Sequence, residues 1–170
     1  AVGASVREAE VVASLLVESN LLGHDSHGVI RVAQYVSAIN SGRIKAGVET
    51  VVEKETAATA VVNGNWGFGH VTAIDAMEIA IEKAKQASIG VVTVHNCNHV
   101  GRLGAFPTIA SDAGLVGLIT NNGHGADKAM APWGGVGRIL PANCLAAAFP
   151  SDKDWDVAID LTLAVAAGGK

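Results

Sequence analysis

The sequence predicts an α/β fold, and three observations carry that expectation. Two helix-then-strand units follow one another, ending Gly90-Val-Val-Thr-Val and Gly114-Leu-Val-Gly-Leu-Ile. Alternation between a 3.6-residue period and short β-branched runs argues for successive strands of one α/β sheet. The residues before them, to about position 50, read as largely helical. Third, the 170 residues are 49% apolar and 16% charged, a globular composition that can bury a sizeable core in one domain or two small ones.

The same composition excludes several partners. The net charge is −4 and no basic cluster occurs, so no nucleic-acid phosphate footprint is expected. Apolar runs such as Leu145 to Phe149 are far too short to cross a bilayer, and no membrane partner is expected. Cys97 and Cys144 lack CxxC spacing and a secreted context, and a signal peptide ahead of the first helix is not expected. They are read as reduced thiols in a cytoplasmic protein. The start at Ala1 rather than Met, and the end at Gly168-Gly169-Lys170, give the expectation of a fragment.

Each element has a local reason. Ser5-Val6-Arg7-Glu8 matches a capping box and opens a helix to about Ser19. A second periodic segment runs from His27 to Ser41-Gly42, with Val29, Val32, Ala33, Val36 and Ile39 on one side. Glu49 to Glu53 and Ala58 to Val62 are strand-like, and Asn63-Gly64 reads as a turn. Asn65 to His70 is a Gly-rich loop whose glycines do not form a dinucleotide fingerprint. Thr72 to Asp75 resembles another capping box and opens a helix to about Ala87. The run at Val91, Val92 and Val94 fits a buried strand. Leu103 to Ala113 reads as a helix capped by Gly114, and Leu115 to Thr120 as the next strand. Asn143 to Phe149 and Asp156 to Leu163 complete the strands, the second carrying Asp160, a carboxylate that would need a partner if buried.

Three places concentrate chemistry. His27, Arg31 and Tyr35 recur every four residues opposite the apolar stripe, placing a titratable base, a carboxylate-binding fork and a phenol on one helix face. A cap at Asp25 or Ser26 would put His27 in the first helical turn, where the positive helix end disfavours imidazolium. A solvated surface helix with an Asp-Ser cap would show the same spacing. Val91 to Gly104 passes from an apolar run to His95-Asn96-Cys97-Asn98-His99, and Thr120-Asn121-Asn122-Gly123-His124-Gly125 closes the next strand. Strand ends of this kind are where α/β sheets hold ligands. His95, Cys97 and His99 alternate in a zinc-compatible donor set, but three ligands on one strand make a cramped tetrahedron and no fourth is near, so no metal is assigned. Ser26 beside His27 is poor geometry for nucleophilic attack and no G-x-S-x-G elbow occurs. The inventory fits proton transfer beside an anionic substrate better.

Gly23-His24-Asp25-Ser26-His27-Gly28-Val29-Ile30-Arg31, followed by Tyr35, resembles a signature of the malate/L-lactate dehydrogenase family that is unrelated to Rossmann-type enzymes. That family includes ureidoglycolate, sulfolactate and diketogulonate enzymes and cyclic imino acid reductases. Further similar stretches follow in family order: Asn63 to Gly69, Asn96 to Gly101, and Ala131 to Gly135. Two departures occur, Pro141-Ala142-Asn143-Cys144 for the family's Gly-Thr-Asn-Pro, and Asp160-Leu161-Thr162-Leu163-Ala164 for Asp-Met-Ala-Thr-Ser.

The resemblance implies a helical N-terminal part followed by a non-Rossmann cofactor domain on a largely antiparallel sheet. The expected segments are 1–50, the helical part; 51–114, a helix-strand part; and 115–170, the truncated start of the cofactor domain. It implies an NAD- or NADP-dependent oxidoreductase, a homodimer, interconverting 2-hydroxy and 2-oxo acids or reducing a cyclic imino acid. His27, Ser26, Asp160 and His99 are then the catalytic candidates, and Arg31 and Tyr35 the substrate-binding ones. Thr120, Asn121, Asn122, Asn143, Asp160, Leu161 and Thr162 are the cofactor candidates. The competing expectation is a non-catalytic small-molecule-binding module or an inactive truncated paralogue.

Overall fold

The computed structural model of the chain describes residues 2–123, 128 and 130–164. It divides into two compact units, Ala1–Arg102 and Leu103–Lys170. Among the described residues no helix is long and apolar enough to cross a membrane.

The first unit opens with α1 (Val6–Leu21), which starts where the capping pattern predicts. Glu8 N–H donates to Ser5 Oγ at 3.2 Å, and Ser5 N–H donates to Glu8 Oε2 at 2.7 Å. Glu8 is buried because its carboxylate also takes the Gly47 N–H, at 2.9 and 3.0 Å to its two oxygens. The helix start is thereby tied to a loop 39 residues away. Leu16 of α1 packs with Tyr35, Ala38, Ile44, Phe68 and Val71 in the core of this unit.

The expected second helix is broken. Asp25–His27 and Val29–Arg31 are separate 3₁₀ turns, and α2 covers only Val32–Asn40. Gly28 between the turns is extended, at φ −89° and ψ −156°. The Asn20 side chain from the end of α1 occupies the space a Gly28 Cβ would need, and its Oδ1 accepts the Val29 N–H at 2.8 Å. This tether holds the chain off the helical path. The break also splits the expected apolar stripe: Val29, Val32 and Ala33 are exposed, Val36 is half-buried and Ile39 packs against the core, where Tyr35 and Ala38 are buried.

A three-stranded sheet follows, in the order β1 (Val51–Glu55), β2 (Thr59–Asn63), β3 (Val91–His95). The β1–β2 pair is antiparallel, with an irregularity between Val52 and Lys54, and β2–β3 is parallel through the crossover helix α3 (Gly69–Ala87). α3 begins three residues before the Thr72 capping pattern. Thr72 Oγ1 bonds the Phe68 carbonyl and Asp75 pairs with Arg7, so neither caps a helix start. His70 therefore lies in the first turn of α3 and is buried. β3 is an edge strand rather than the buried strand expected, with Val91 and Val94 exposed; among the described residues only β2 pairs with it.

In the second unit α4 (Ala105–Asp112) is followed by β4 (Gly117–Thr120), β5 (Cys144–Phe149) and β6 (Val157–Thr162), all antiparallel in that order. β3 and β4 are thus not strands of one sheet, which corrects the expectation drawn from their similar helix-strand units. A helix-strand repeat looks the same in sequence whether its strand pairs backwards or forwards, and here β4 pairs forwards with β5. α4, grouped by sequence with the middle segment, packs on β4 and β5. Gly117 permits this: a Cβ there would lie 2.4 Å from the Pro107 carbonyl oxygen of α4. The register puts Gly117, Ala146, Ala148 and Asp160 on the helix-covered face, and Leu118, Leu145, Phe149, Ile159 and Leu161 on the other, where all five are exposed.

Candidate active site

Four aromatic rings from four places meet in the first unit. His27 ends a 3₁₀ turn, Tyr35 comes from α2, His70 from α3, and His99 from the loop after β3. Tyr35 Oη lies 2.8 Å from His99 Nδ1 and 3.4 Å from His70 Nε2. The His27 and His99 rings stack, with centroids 5.6 Å apart and planes 13° from parallel. Tyr35 and His70 meet edge to face at 5.3 Å. The cluster grades from wet to dry: His99 is exposed, His27 half-buried, and Tyr35 and His70 are 4% and 1% exposed.

Burial decides the charge states at the dry end. It pushes the Tyr35 phenol up to about 12, against a smaller opposing effect of the Arg31 cation. It pulls His70 down to about 3, helped by the neighbouring His99 and His27. Tyr35 is therefore a neutral donor and His70 a neutral imidazole at physiological pH. Gly101, at φ +81°, makes room for His70, since a Cβ there would lie 2.7 Å from Nε2.

The sequence expectation of one helix face carrying His27, Arg31 and Tyr35 does not hold, because the 3₁₀ break separates them. Tyr35 and His27 reach the same cluster from different elements. Arg31 is half-buried beside them, its Nε donating to the Ser26 carbonyl at 2.6 Å and its Nη1 to Gln34 Oε1 at 2.7 Å. Among the described residues no carboxylate pairs with it. Ser26 Oγ lies 3.0 Å from His27 Nδ1. His27 closes a three-residue turn instead of opening an α-helix, so the helix-dipole reason for its neutrality falls away.

His95, Cys97 and His99 do not converge. His95 Nε2 is 2.9 Å from Glu53 Oε2, holding that carboxyl below its usual range, and the Cys97 thiol donates to the Asn98 carbonyl and is pushed up to about 11 by burial. Asn98 acts as a latch: its Nδ2 reaches the carbonyls of Arg43, Trp66 and Gly67. His70 is the residue that sequence reasoning missed. Its signal was the glycine pair Gly69 and Gly101, which marks close approach: a Cβ at Gly69 would fall 2.1 Å from the Asn98 carbonyl oxygen.

In the second unit the register brings three strand ends together: the end of β4, the start of β5 and the end of β6. Thr120 Oγ1 donates to the Cys144 carbonyl at 3.0 Å, and Asn121 Oδ1 accepts the Cys144 N–H at 2.8 Å. Thr162 Oγ1 donates to the Ala142 carbonyl at 2.9 Å. Asn143, at φ +43°, buries its Oδ1 without a hydrogen-bond partner. Asn122 and Leu161 are exposed, while His124 and Gly125 lie outside the described residues. Asp160 is exposed rather than buried, and its Oδ2 accepts the Gly104 N–H at 2.8 Å where α4 begins, a favourable place for a carboxylate.

The malate/(S)-sulfolactate dehydrogenase of Methanothermus fervidus is 38% identical over 170 residues, 100% of this chain and 49% of the relative. The L-sulfolactate dehydrogenase of Methanothermobacter thermautotrophicus is 38% identical over 161 residues, 95% of this chain and 46% of the relative. The structure of malate dehydrogenase from Pyrococcus horikoshii superposes with a TM-score of 0.93 at 34% identity, covering 99% of this chain and 47% of that one. The chain spans about half the length of the curated relatives it matches. The malate/L-lactate dehydrogenase family model matches residues 1–170. By sequence over that whole span and by fold, the chain belongs to the malate/L-lactate dehydrogenase family.

Proposed function

We propose that this chain belongs to an oxidoreductase that interconverts a 2-hydroxy acid and a 2-oxo acid with a nicotinamide cofactor. The observation that carries the reading is Arg31: a half-buried guanidinium with no carboxylate partner among the described residues, beside two stacked histidines. An uncompensated planar fork suits a substrate carboxylate, which it can bind through two parallel hydrogen bonds. A histidine next to it suits the proton that must reach or leave the substrate oxygen. We assign that proton to His27, with Ser26 on its Nδ1, and place Asp160 in the acid–base set on family resemblance alone. Tyr35 and His99 orient the substrate. Reduction of a cyclic imino acid would use the same carboxylate grip and proton and is the variant of this reading.

The residues assigned to the cofactor fit a nicotinamide group. Asn143 Oδ1 is a buried acceptor without a donor, and a carboxamide N–H supplies one. Thr120, Asn121 and Thr162 brace the backbone around it, and Asn122, Asp160 and Leu161 complete the set. When bound, such a group supplies or takes the hydride. The reading includes assembly as a homodimer in a cytoplasmic setting, and the response to each nicotinamide decides between NAD and NADP.

The experiment is a titration of the chain with NADH and NADPH, followed by intrinsic tryptophan fluorescence, and then turnover with a panel of 2-oxo acids. Saturable quenching and oxidation of one nicotinamide by a 2-oxo acid are expected. Saturable binding of a 2-oxo acid with no response to either nicotinamide would instead favour a non-catalytic binding module.

A further inference from the structure

The four-ring cluster contains one group that the proposed chemistry leaves unused. His70 Nε2 meets Tyr35 Oη at 3.4 Å, and its Nδ1 is buried with no hydrogen-bond partner. A neutral imidazole carries one proton. A buried N–H without an acceptor is rarer and more costly than an unused lone pair, so the proton belongs on Nε2, facing the phenol. Tyr35 Oη then accepts from His70 and has its own proton to give to His99 Nδ1, 2.8 Å away. With Nδ1 accepting, a neutral His99 carries its proton on Nε2. The direction of each bond follows from the one before it, starting at the orphaned nitrogen.

We propose that His70 is a positioning residue: through Tyr35 it locks His99 in the Nε2–H tautomer, making His99 a hydrogen-bond donor to the substrate oxygen and leaving the ionising acid–base role to His27. The substrate half of this inference rests on the function proposed above; the tautomer half does not. Protonating His99 at Nδ1 would require Tyr35 to turn its proton towards His70 Nε2, which already carries one. Among the described residues the side chains that act electrostatically on the two buried rings are basic, His27 and His99 on His70 and Arg31 on Tyr35. His70 stays neutral through the physiological range because burial holds its titration far below it. The close passage of Gly101 over Nε2 keeps the ring in place.

The test is histidine side-chain NMR of the chain labelled with ¹⁵N, near neutral pH, with His99 and His70 assigned by loss of their signals in single variants. Protonated Nε2 and bare Nδ1 are expected for both. In Tyr35→Phe, which deletes the relay hydroxyl, and in His70→Leu, His99 should populate both tautomers. His70→Gln, whose amide N–H can replace Nε2–H, should restore the single tautomer. If the chain turns over a 2-oxo acid, His70→Leu should raise KM about tenfold, the worth of one well-aligned hydrogen bond, with the ionisation in the kcat profile kept. The Gln variant should recover most of that loss. An Nδ1–H His99 in the unsubstituted chain overturns the proposal without reference to any variant's folding. So does a His99 tautomer that is indifferent to both Tyr35→Phe and His70→Leu. An Nε2–H His99 in a chain that turns over no 2-oxo acid upholds the coupling and overturns the function on which its substrate half rests.

Discussion

At the scale of single residues the cluster separates roles that sequence spacing cannot. Arg31→Lys keeps the charge but loses the fork that bonds the Ser26 carbonyl and Gln34 together, so a substrate carboxylate would lose its second hydrogen bond. KM for the 2-oxo acid should rise about tenfold or more; an unchanged KM in steady-state kinetics would remove Arg31 from the substrate site. His27→Ala should lower kcat by about two to four powers of ten and abolish the ionisation in its pH profile, whereas His99→Ala should mostly raise KM. The reverse pattern would transfer the proton to His99. His70 has a stability signature of its own. Unfolded, it titrates at its ordinary 6.5; folded, at about 3. Between those values only the unfolded chain takes up the proton. Its contribution is therefore complete above pH 6.5 and is lost as pH falls towards 3, at about 1.4 kcal/mol per unit. Urea unfolding at several pH values should show that slope shrink in His70→Gln relative to the unsubstituted chain.

At the scale of elements, the local capping signal at Ser5 was read correctly, whereas the similar pattern at Thr72 falls inside α3, which already starts at Gly69. The capping box at Ser5 and Glu8 formed, and Gly114 closes α4 at φ +76°. Glu8 nevertheless does more than its motif requires. Ser5→Ala should cost about 1 kcal/mol, the usual worth of an N-cap. Glu8→Ala should cost about 2–3 kcal/mol, because it also strands the Gly47 N–H. Equal losses for the two variants in chemical denaturation would mean that the Gly47 contact contributes little. The second helix failed as an expectation for a non-local reason. Its period is helical from His27 onward, but the Asn20 amide bonds the chain at Val29 and packs over Gly28. The break delivers Tyr35 to the core and His27 to a different approach on the same cluster.

At the scale of the whole molecule, the residues proposed for the substrate belong to the first unit and all of those proposed for the cofactor to the second. The two proposals can therefore be separated by variants. Asn143→Ala removes the buried acceptor proposed for the nicotinamide carboxamide. It should weaken NADH or NADPH binding about tenfold in fluorescence titration, with Arg31-dependent discrimination between 2-oxo acids unaltered. Unchanged cofactor affinity would take Asn143 out of that site. The antiparallel order β4-β5-β6 is what draws Thr120, Asn143 and Thr162 together, since antiparallel pairing places the end of one strand beside the start of the next.

Composition, periodicity and the ordered motifs were enough to decide the α/β class, most helix and strand positions, and membership in a family of hydroxy acid dehydrogenases. They also singled out Arg31, His27 and His99, each within a contiguous motif, and Tyr35 by its four-residue spacing from Arg31. Strand partners were beyond their reach: β3 and β4 end alike in sequence, yet one pairs with β2 and the other with β5. The same holds for His70, which looked like the tail of a glycine-rich loop until α3 carried it beneath Tyr35. A hydrogen bond spanning 35 or 64 residues leaves no periodic trace, and the tautomer it imposes depends on which buried nitrogen has a neighbour. Local propensity is written into adjacent residues, whereas protonation is decided by whatever the fold packs alongside.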